Sequence, residues 1–230
     1  MDYYCGIWSD LWKFLKNSIM KLKEKIYFIA AIGTDIGKTF LVENLCRILP
    51  NIMAIKPIAS GFNDDKNSDS AKILAALNLE ISLTNISAIT PWRFKEALSP
   101  HFAAQISGNN IDFSAVKKFC EEKISEAKNS DNFLFIEAAG GVMTPINNNH
   151  TFLDLAAELQ IPVLLLSANY LGSISHTLCA IEALKCRELV IEKIIINSEL
   201  PLQTKSAISM VDTIKNFSGI ETVLLKNFLD

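Results

Sequence analysis

Six stretches of the chain are apolar almost without interruption: Ile26–Ile32, Ile52–Lys56, Asn132–Glu137, Val163–Ala168, Ile191–Asn197 and Thr222–Leu225. Strands with one wet face alternate apolar and polar positions, and these do not. They read as strands covered on both faces, as in a parallel sheet. Between them lie segments whose apolar residues recur at helical spacing: Phe40–Leu49, Ser68–Leu77, Phe113–Lys128, Thr151–Leu159, Ile174–Glu188 and Gln203–Phe217. Regular alternation of strand and helix implies right-handed crossovers and a doubly wound α/β fold, a mostly parallel sheet with helices on both faces. In such sheets ligands gather at the carboxyl ends of the strands. No repeat, low-complexity tract or long linker divides residues 26–230, so they are expected to form one domain.

Residues 1–25 follow a different pattern. Trp8, Leu11, Trp12, Leu15, Ile19 and Leu22 recur at helical spacing, with Lys13, Lys16, Lys21 and Lys23 mostly elsewhere around the helix. This is an amphipathic N-terminal extension. An appended helix that packs on the domain, or a poorly ordered arm, is favoured over a membrane-surface or partner-binding helix, because the positive face is thin. A start at Met20, just ahead of the first strand, is a third reading.

Composition narrows the function classes. The chain has 230 residues, 50% of them hydrophobic, and a formal net charge of −3. That charge, without a basic stripe, gives no electrostatic footprint for nucleic acid and no membrane-surface patch. No apolar stretch reaches the roughly 20 residues of a spanning helix. Asp2 and Asp10 precede the apolar residues of the N-terminus and no small-residue cleavage site follows, so no secretory signal is read. The five cysteines, Cys5, Cys46, Cys120, Cys179 and Cys186, are scattered and form no CxxC pair. They read as reduced core thiols of a cytoplasmic protein.

Candidate chemistry sits where the first apolar run meets its helix. Gly37-Lys38-Thr39 follows Ile26–Ile32 and precedes Phe40–Leu49. Strand, glycine-bearing loop, Lys-Thr and helix is the layout of a P-loop, which holds ATP or GTP phosphates on backbone N–H groups and a helix N-terminus. Lysine supplies a cation on a flexible stem, and the threonine hydroxyl suits a Mg²⁺ ion bridging β- and γ-phosphates. The glycine pattern is irregular. A strict GxxxxGK[ST] loop needs glycine at Ile32, and a loop one residue longer needs it at Ala31. Further candidates stand at the same expected edge: Lys56 through Gly61 (KPIASG) after the second strand, Asn67-Ser68-Asp69 before a helix, and Glu137 through Gly141 (EAAGG) after the third strand. A lysine ending an apolar strand either snorkels to solvent or serves a site, and the two readings weigh equally for Lys56 alone. Ser68 or Asp69 alone is best read as an N-cap. Glu137 beside small residues fits a Mg²⁺ site, against the simpler reading of a turn that needs glycine.

Taken together and in order, Gly37–Thr39, Lys56–Gly61, Asn67–Asp69, Ser99-Pro100-His101 and Glu137–Gly141 resemble dethiobiotin synthetase, a family of the P-loop NTPase superfamily. The resemblance runs from about Ile26 to about Asn197, and Leu171–His176 looks like that family's loop near the substrate. It implies closure of a ureido ring on 7,8-diaminononanoate with CO2 and ATP, through a carbamate and a carbamic–phosphoric anhydride. By the same resemblance Lys38 and Lys56 are the catalytic cations, the first on the β/γ-phosphates, the second near the γ-phosphate and carbamate. Asp35, Ile36, Gly37, Lys38, Thr39 and Phe40 form the ATP-binding loop, joined by Asp69, Glu137, Ala138, Ala139 and Gly140, with Asn197 reading the adenine edge. Thr39, Asp69 and Glu137 bind Mg²⁺ directly or through water. Ser60 contacts the carbamate or diamine. The family acts as a homodimer with the diamine near the subunit interface, where Pro145 and Ile146 form the far end of its site. Ala31 and Ala138 replace glycines usual in the family and are expected to cost nucleotide affinity, since alanine resists positive φ. The chain also ends soon after its last strand, where the family often has more adenine-pocket structure, which is expected to broaden base selectivity.

Three rivals remain at this level, one of them a degenerate homologue retained for another task. A regulatory ATPase of the chromosome-partitioning type carries an extra lysine early in the loop, and Ala31–Ile36 has none. A related amidoligase of the cobyrinate type brings a glutaminase domain for which this chain has no room.

Overall fold

In the computed structural model, which describes residues 22–198 and 207–230, the first apolar run becomes β1 (Ile26–Ala31), six residues with every side chain buried. Around it lie β2 (Ile52–Ile55), β5 (Phe133–Glu137), β6 (Val163–Ala168), β7 (Ile191–Asn197) and β8 (Thr222–Leu224). The described residues form a sheet in the order β2-β5-β1-β6-β7-β8, and each neighbouring pair is parallel. The expected doubly wound architecture is therefore present. A separate two-stranded parallel ladder joins β3 (Ile58–Ala59) to β4 (Trp92–Arg93).

Helices cover the sheet, and the longer ones do so through an apolar stripe. In α1 (Lys38–Ile48), Leu41, Val42, Leu45 and Cys46 are buried. The helix α2 (Asp69–Ala76) starts at Ser68, whose hydroxyl accepts from the Ala71 N–H. Two short helices follow, α3 (Leu83–Ile89) and α4 (Pro100–Ile106), and then the long α5 (Phe113–Asn129). The helix α6 (Phe152–Leu159) opens with a reciprocal capping box between Thr151 and Asp154, which satisfies two free N–H groups at once. The helices α7 (Ser173–Lys185), α8 (Ala207–Ser218) and α9 (Leu225–Leu229) complete the order. Tyr27, Phe28, Phe135, Phe152 and Phe228 are the bulkiest fully buried side chains, and they fill the layers on either side of the sheet.

Several expectations shift. α1 begins at Lys38 rather than Phe40, which puts Lys38 and Thr39 in its first turn. Leu225, expected in the last strand, opens α9 instead. The start of α8 expected at Gln203 lies outside the described residues, as does nearly all of the amphipathic extension read over 1–25. The cysteines divide: Cys46 and Cys120 are buried, and burial pushes both thiols up to about 12. Cys179 and Cys186 are exposed, so they are not core thiols. Cys5 lies outside the described residues. Among the described residues no helix is long and apolar enough to cross a membrane.

Candidate active site

After β1 the chain enters a tight loop with two residues in the left-handed region, Asp35 (φ 55°) and Gly37 (φ 106°). Aspartate tolerates that region better than most residues do. Gly37 has a second constraint, since a Cβ there would lie 2.7 Å from Nδ2 of Asn197. Gly37 is the N-cap of α1, so the unpaired N–H groups and positive dipole end of that helix open beside it. Ala31 is the last residue of β1, pairs with Leu166 and is fully buried in extended strand. The loop's left-handed conformations fall at Asp35 and Gly37, so the alanine meets no demand for positive φ. Ala138 is likewise buried, without positive φ, and its N–H donates to the Ile29 carbonyl at 3.1 Å. The structure gives no backbone reason for the loss of nucleotide affinity expected at these two positions.

Sheet register assembles the rest. Ile55 of β2 pairs with Ile136 of β5, so Lys56 and Glu137 follow side by side at the carboxyl edge. Lys56 leaves the ladder there, its N–H donating to Ile89. Its ammonium donates to Glu137 Oε1 at 2.8 Å and to Asp69 Oδ2. The Thr39 hydroxyl donates to the same Glu137 Oε1 at 2.7 Å. Asp69 arrives as the first residue of α2. Lys38 donates to the carbonyls of Gly33 (3.0 Å) and Gly140 (2.6 Å), which bridges the loop to the turn after β5. That turn needs glycine: Gly140 has φ 72°, and a Cβ would meet Thr144 Oγ1 at 2.4 Å.

Both ammonium groups are nearly closed off from solvent, Lys38 at 6% exposure and Lys56 at 7%. Their electrostatics differ. Burial pulls Lys38 down to about 8, against a partial opposing effect from Glu137. Burial also disfavours charge on Lys56, but the charges and hydrogen bonds of Glu137 and Asp69 outweigh it and hold the ammonium above its usual range. Asp69 is held below the usual carboxylate range: its partial burial acts the other way, and the Lys56 charge and hydrogen bond prevail. Glu137 is fully buried, yet its Oε2 has no hydrogen-bond partner. A buried carboxylate oxygen without a donor is uncommon and fits a cation ligand.

These groups border a cavity of about 320 Å³. Of the residues expected at ATP, Asp35, Gly37, Lys38, Thr39 and Phe40 line it from the loop and α1. Asp69, Glu137, Ala139 and Gly140 line it as well, with Ser60 and Lys56. Ile36 and Ala138 are buried behind this surface. Asn197 lies behind the loop as well, at the end of β7, donating from Nδ2 to the Ile36 carbonyl at 3.1 Å. Thr34, not among the expected residues, borders this cavity and a second of about 540 Å³, so the two adjoin. Pro145 lines the second with Val142, Met143, His176 and Cys179. Ile146 does not reach it: at 0% exposure it belongs to the core. The only hint of Thr34 in the sequence was its place between Gly33 and Asp35 in the loop.

A family model described as an AAA domain matches residues 25–225. An ATP-dependent dethiobiotin synthetase from Acidiphilium cryptum is 39% identical over 186 residues, covering 76% of this chain and 81% of that protein. The enzyme of the same name from Methylobacterium nodulans is 34% identical over 205 residues, covering 85% and 90%. Among solved structures, a ParA family ATPase from Chlorobium tepidum aligns with a TM-score of 0.50 at 13% identity, covering 89% of this chain and 88% of that one. That likeness concerns the fold alone. With a P-loop, a Lys–Glu–Asp cluster beside it and relatives matched over most of both lengths, the chain belongs to the ATP-dependent dethiobiotin synthetase family.

Proposed function

We propose that this protein closes the ureido ring of dethiobiotin on 7,8-diaminononanoate, consuming CO2 and ATP and releasing ADP and phosphate, in biotin synthesis. One observation carries the reading: two buried ammonium groups, Lys38 and Lys56, line one cavity. One amine takes up CO2 as a carbamate and loses a proton. A carbamate oxygen attacks the γ-phosphorus of ATP, the bond to the ADP oxygen breaks, and a carbamic–phosphoric anhydride forms. The second amine attacks the carbonyl carbon, the ring closes, and phosphate leaves with the anhydride oxygen. Lys38 holds the β- and γ-phosphates with the N-terminal N–H groups of α1. Lys56 stabilises the anionic carbamate and the transferring phosphoryl group, and Ser60 orients the carbamate or diamine. Asn197 contacts the adenine edge.

The donor set fits Mg²⁺. Thr39, Asp69 and Glu137 are hard oxygen donors lining one cavity, and Glu137 Oε2 has no hydrogen-bond partner. When bound, Mg²⁺ neutralises charge on the β- and γ-phosphate oxygens. The same reading makes the protein a cytoplasmic homodimer with Pro145 near the diamine. Its support is the apolar groove at Pro145 and the outward side chains of Met143 (59% exposed) and Leu171 (95% exposed). Sedimentation showing only monomer at working concentrations would remove that part.

The direct assay is incubation with ATP, Mg²⁺, bicarbonate and 7,8-diaminononanoate, following dethiobiotin by mass. Diamine-dependent product is expected. ATP turnover without diamine and without product would favour a regulatory ATPase and sink the proposal.

Lys38 adds a pH signature. Its ammonium titrates at about 8 in the free protein, and a bound polyphosphate raises that value. The bound state then holds more protons than the free state above about pH 8. Affinity for MgATP should therefore be flat below that pH and fall above it, by up to about tenfold per unit. Calorimetric titrations in buffers of different ionisation heat should show proton uptake at pH 8.5 and little at pH 6.5. A Kd that does not change between those values would contradict the assignment.

A further inference from the structure

Asn197 is joined to the phosphate loop more tightly than a base-reading residue requires. It ends β7, lies 161 positions from Ile36 in sequence, and still donates Nδ2–H to the Ile36 carbonyl at 3.1 Å. The side chain is buried. The same nitrogen lies against Gly37, where even a methyl group would come within 2.7 Å of Nδ2. Ile36 is itself buried and precedes the left-handed Gly37 that turns the chain into α1. The Asn197 amide thus holds the Ile36–Gly37 peptide, which leads into the glycine that turns the loop into α1.

We infer that Asn197 is a positioning residue for the phosphate-binding loop, acting through the Ile36 carbonyl whether or not a nucleobase is bound. An amide NH2 has two hydrogens and its oxygen is a separate acceptor, so holding the loop and contacting a base are compatible. The consequence is that the sheet edge under the base is mechanically linked to the phosphate cradle. This rests on the phosphate-site reading above and extends it.

Inorganic tripolyphosphate with Mg²⁺, which has no base, separates the two roles. Its affinity, and that of MgATP, would be measured for the wild type, Asn197→Ala and the near-isosteric Asn197→Asp, with melting temperatures alongside. Loss of one buried hydrogen bond corresponds to roughly three- to tenfold weaker tripolyphosphate binding for Asn197→Ala. Asn197→Asp should be weaker still, because it turns an acceptor toward the Ile36 carbonyl. The KM for ATP should rise and that for the diamine should stay constant. If both variants bind tripolyphosphate like the wild type and lose only ATP affinity, the residue reads the base alone and the inference is wrong. A lower melting temperature without a change in tripolyphosphate affinity has the same meaning. A wild type that binds neither ligand overturns the phosphate-site reading as well. Should neither variant fold, hydrogen exchange on the wild type decides: adenosine without phosphate should slow exchange at the Gly37 and Lys38 amides, and unchanged exchange ends the proposal.

Discussion

Lys56→Ala is expected to lower the rate of dethiobiotin formation by roughly 10²–10³-fold while MgATP still binds. Phosphate affinity rests on Lys38 and the α1 N-terminus, which the substitution leaves in place. What disappears is the cation held between Glu137 and Asp69, at the point where carbamate and γ-phosphate must approach despite like charge. The protein should also lose stability, because one partner of a buried ion pair is removed while Glu137 stays fully buried. Breaking such a pair costs about 3 kcal/mol or more, and the partial exposure of Asp69 keeps the loss at the low end. Added Mg²⁺ should narrow the difference in melting temperature by supplying positive charge beside the same carboxylates. Lys56→Arg is not a safe substitute, since a planar fork does not occupy the place of a compact ammonium. Calorimetry for MgATP, product formation by mass, and melting with and without Mg²⁺ test each part. Near-normal turnover in Lys56→Ala would show that the lysine is structural and move the carbamate site elsewhere.

The features that were legible in the sequence are those written locally. Val163–Ala168 and Ile191–Asn197 match their strands to the residue, because unbroken apolar runs covered on both faces have no other economical fold. That Lys56 and Glu137 would stand at one edge was legible for a related reason, since each ends such a run and parallel register then places them together. Contacts made only by the finished fold were not legible. The bond from Asn197 to Ile36 depends on the packing of β7 beside the loop, and nothing near either residue announces it. Glycine counting misled at Ala31, because the left-handed residues of this loop are Asp35 and Gly37. Ile146 lies next to Pro145 in sequence, yet the turn sends it into the core while Pro145 faces the groove. The short helices escaped because they carry little pattern: α3 buries Ile86 and Ile89, and α4 leaves Phe102 and Ile106 exposed. A Ser82 cap starts α3 and Pro100 starts α4, rather than an amphipathic stripe.

Glu137→Gln should raise the Mg²⁺ concentration needed for half-maximal rate by at least about tenfold. At saturating Mg²⁺ turnover should remain well below that of the wild type. The side chains have the same shape, and glutamine keeps an oxygen to accept from Thr39 Oγ1 and Lys56 Nζ. The amide removes the charge and replaces the unpartnered Oε2 with a donor, which a cation repels. Packing is retained, but the buried Lys56 ammonium keeps only Asp69 as a charged partner, so the melting temperature should also fall in the absence of Mg²⁺. The stabilisation that Mg²⁺ and ATP give together should shrink, because that gain reports binding to the folded state alone. Asp69→Asn should shift the Mg²⁺ requirement less, because Asp69 is partly exposed and water can take over its share of any contact, whereas Glu137 is closed off from bulk water. Initial rates against Mg²⁺ at fixed ATP, for the wild type and both variants, provide the comparison. If Glu137→Gln keeps the wild-type Mg²⁺ dependence, the orphaned oxygen is a feature of the Lys56 ion pair and the cation is held elsewhere. If Asp69→Asn has the larger effect, the ligand roles of the two carboxylates are reversed.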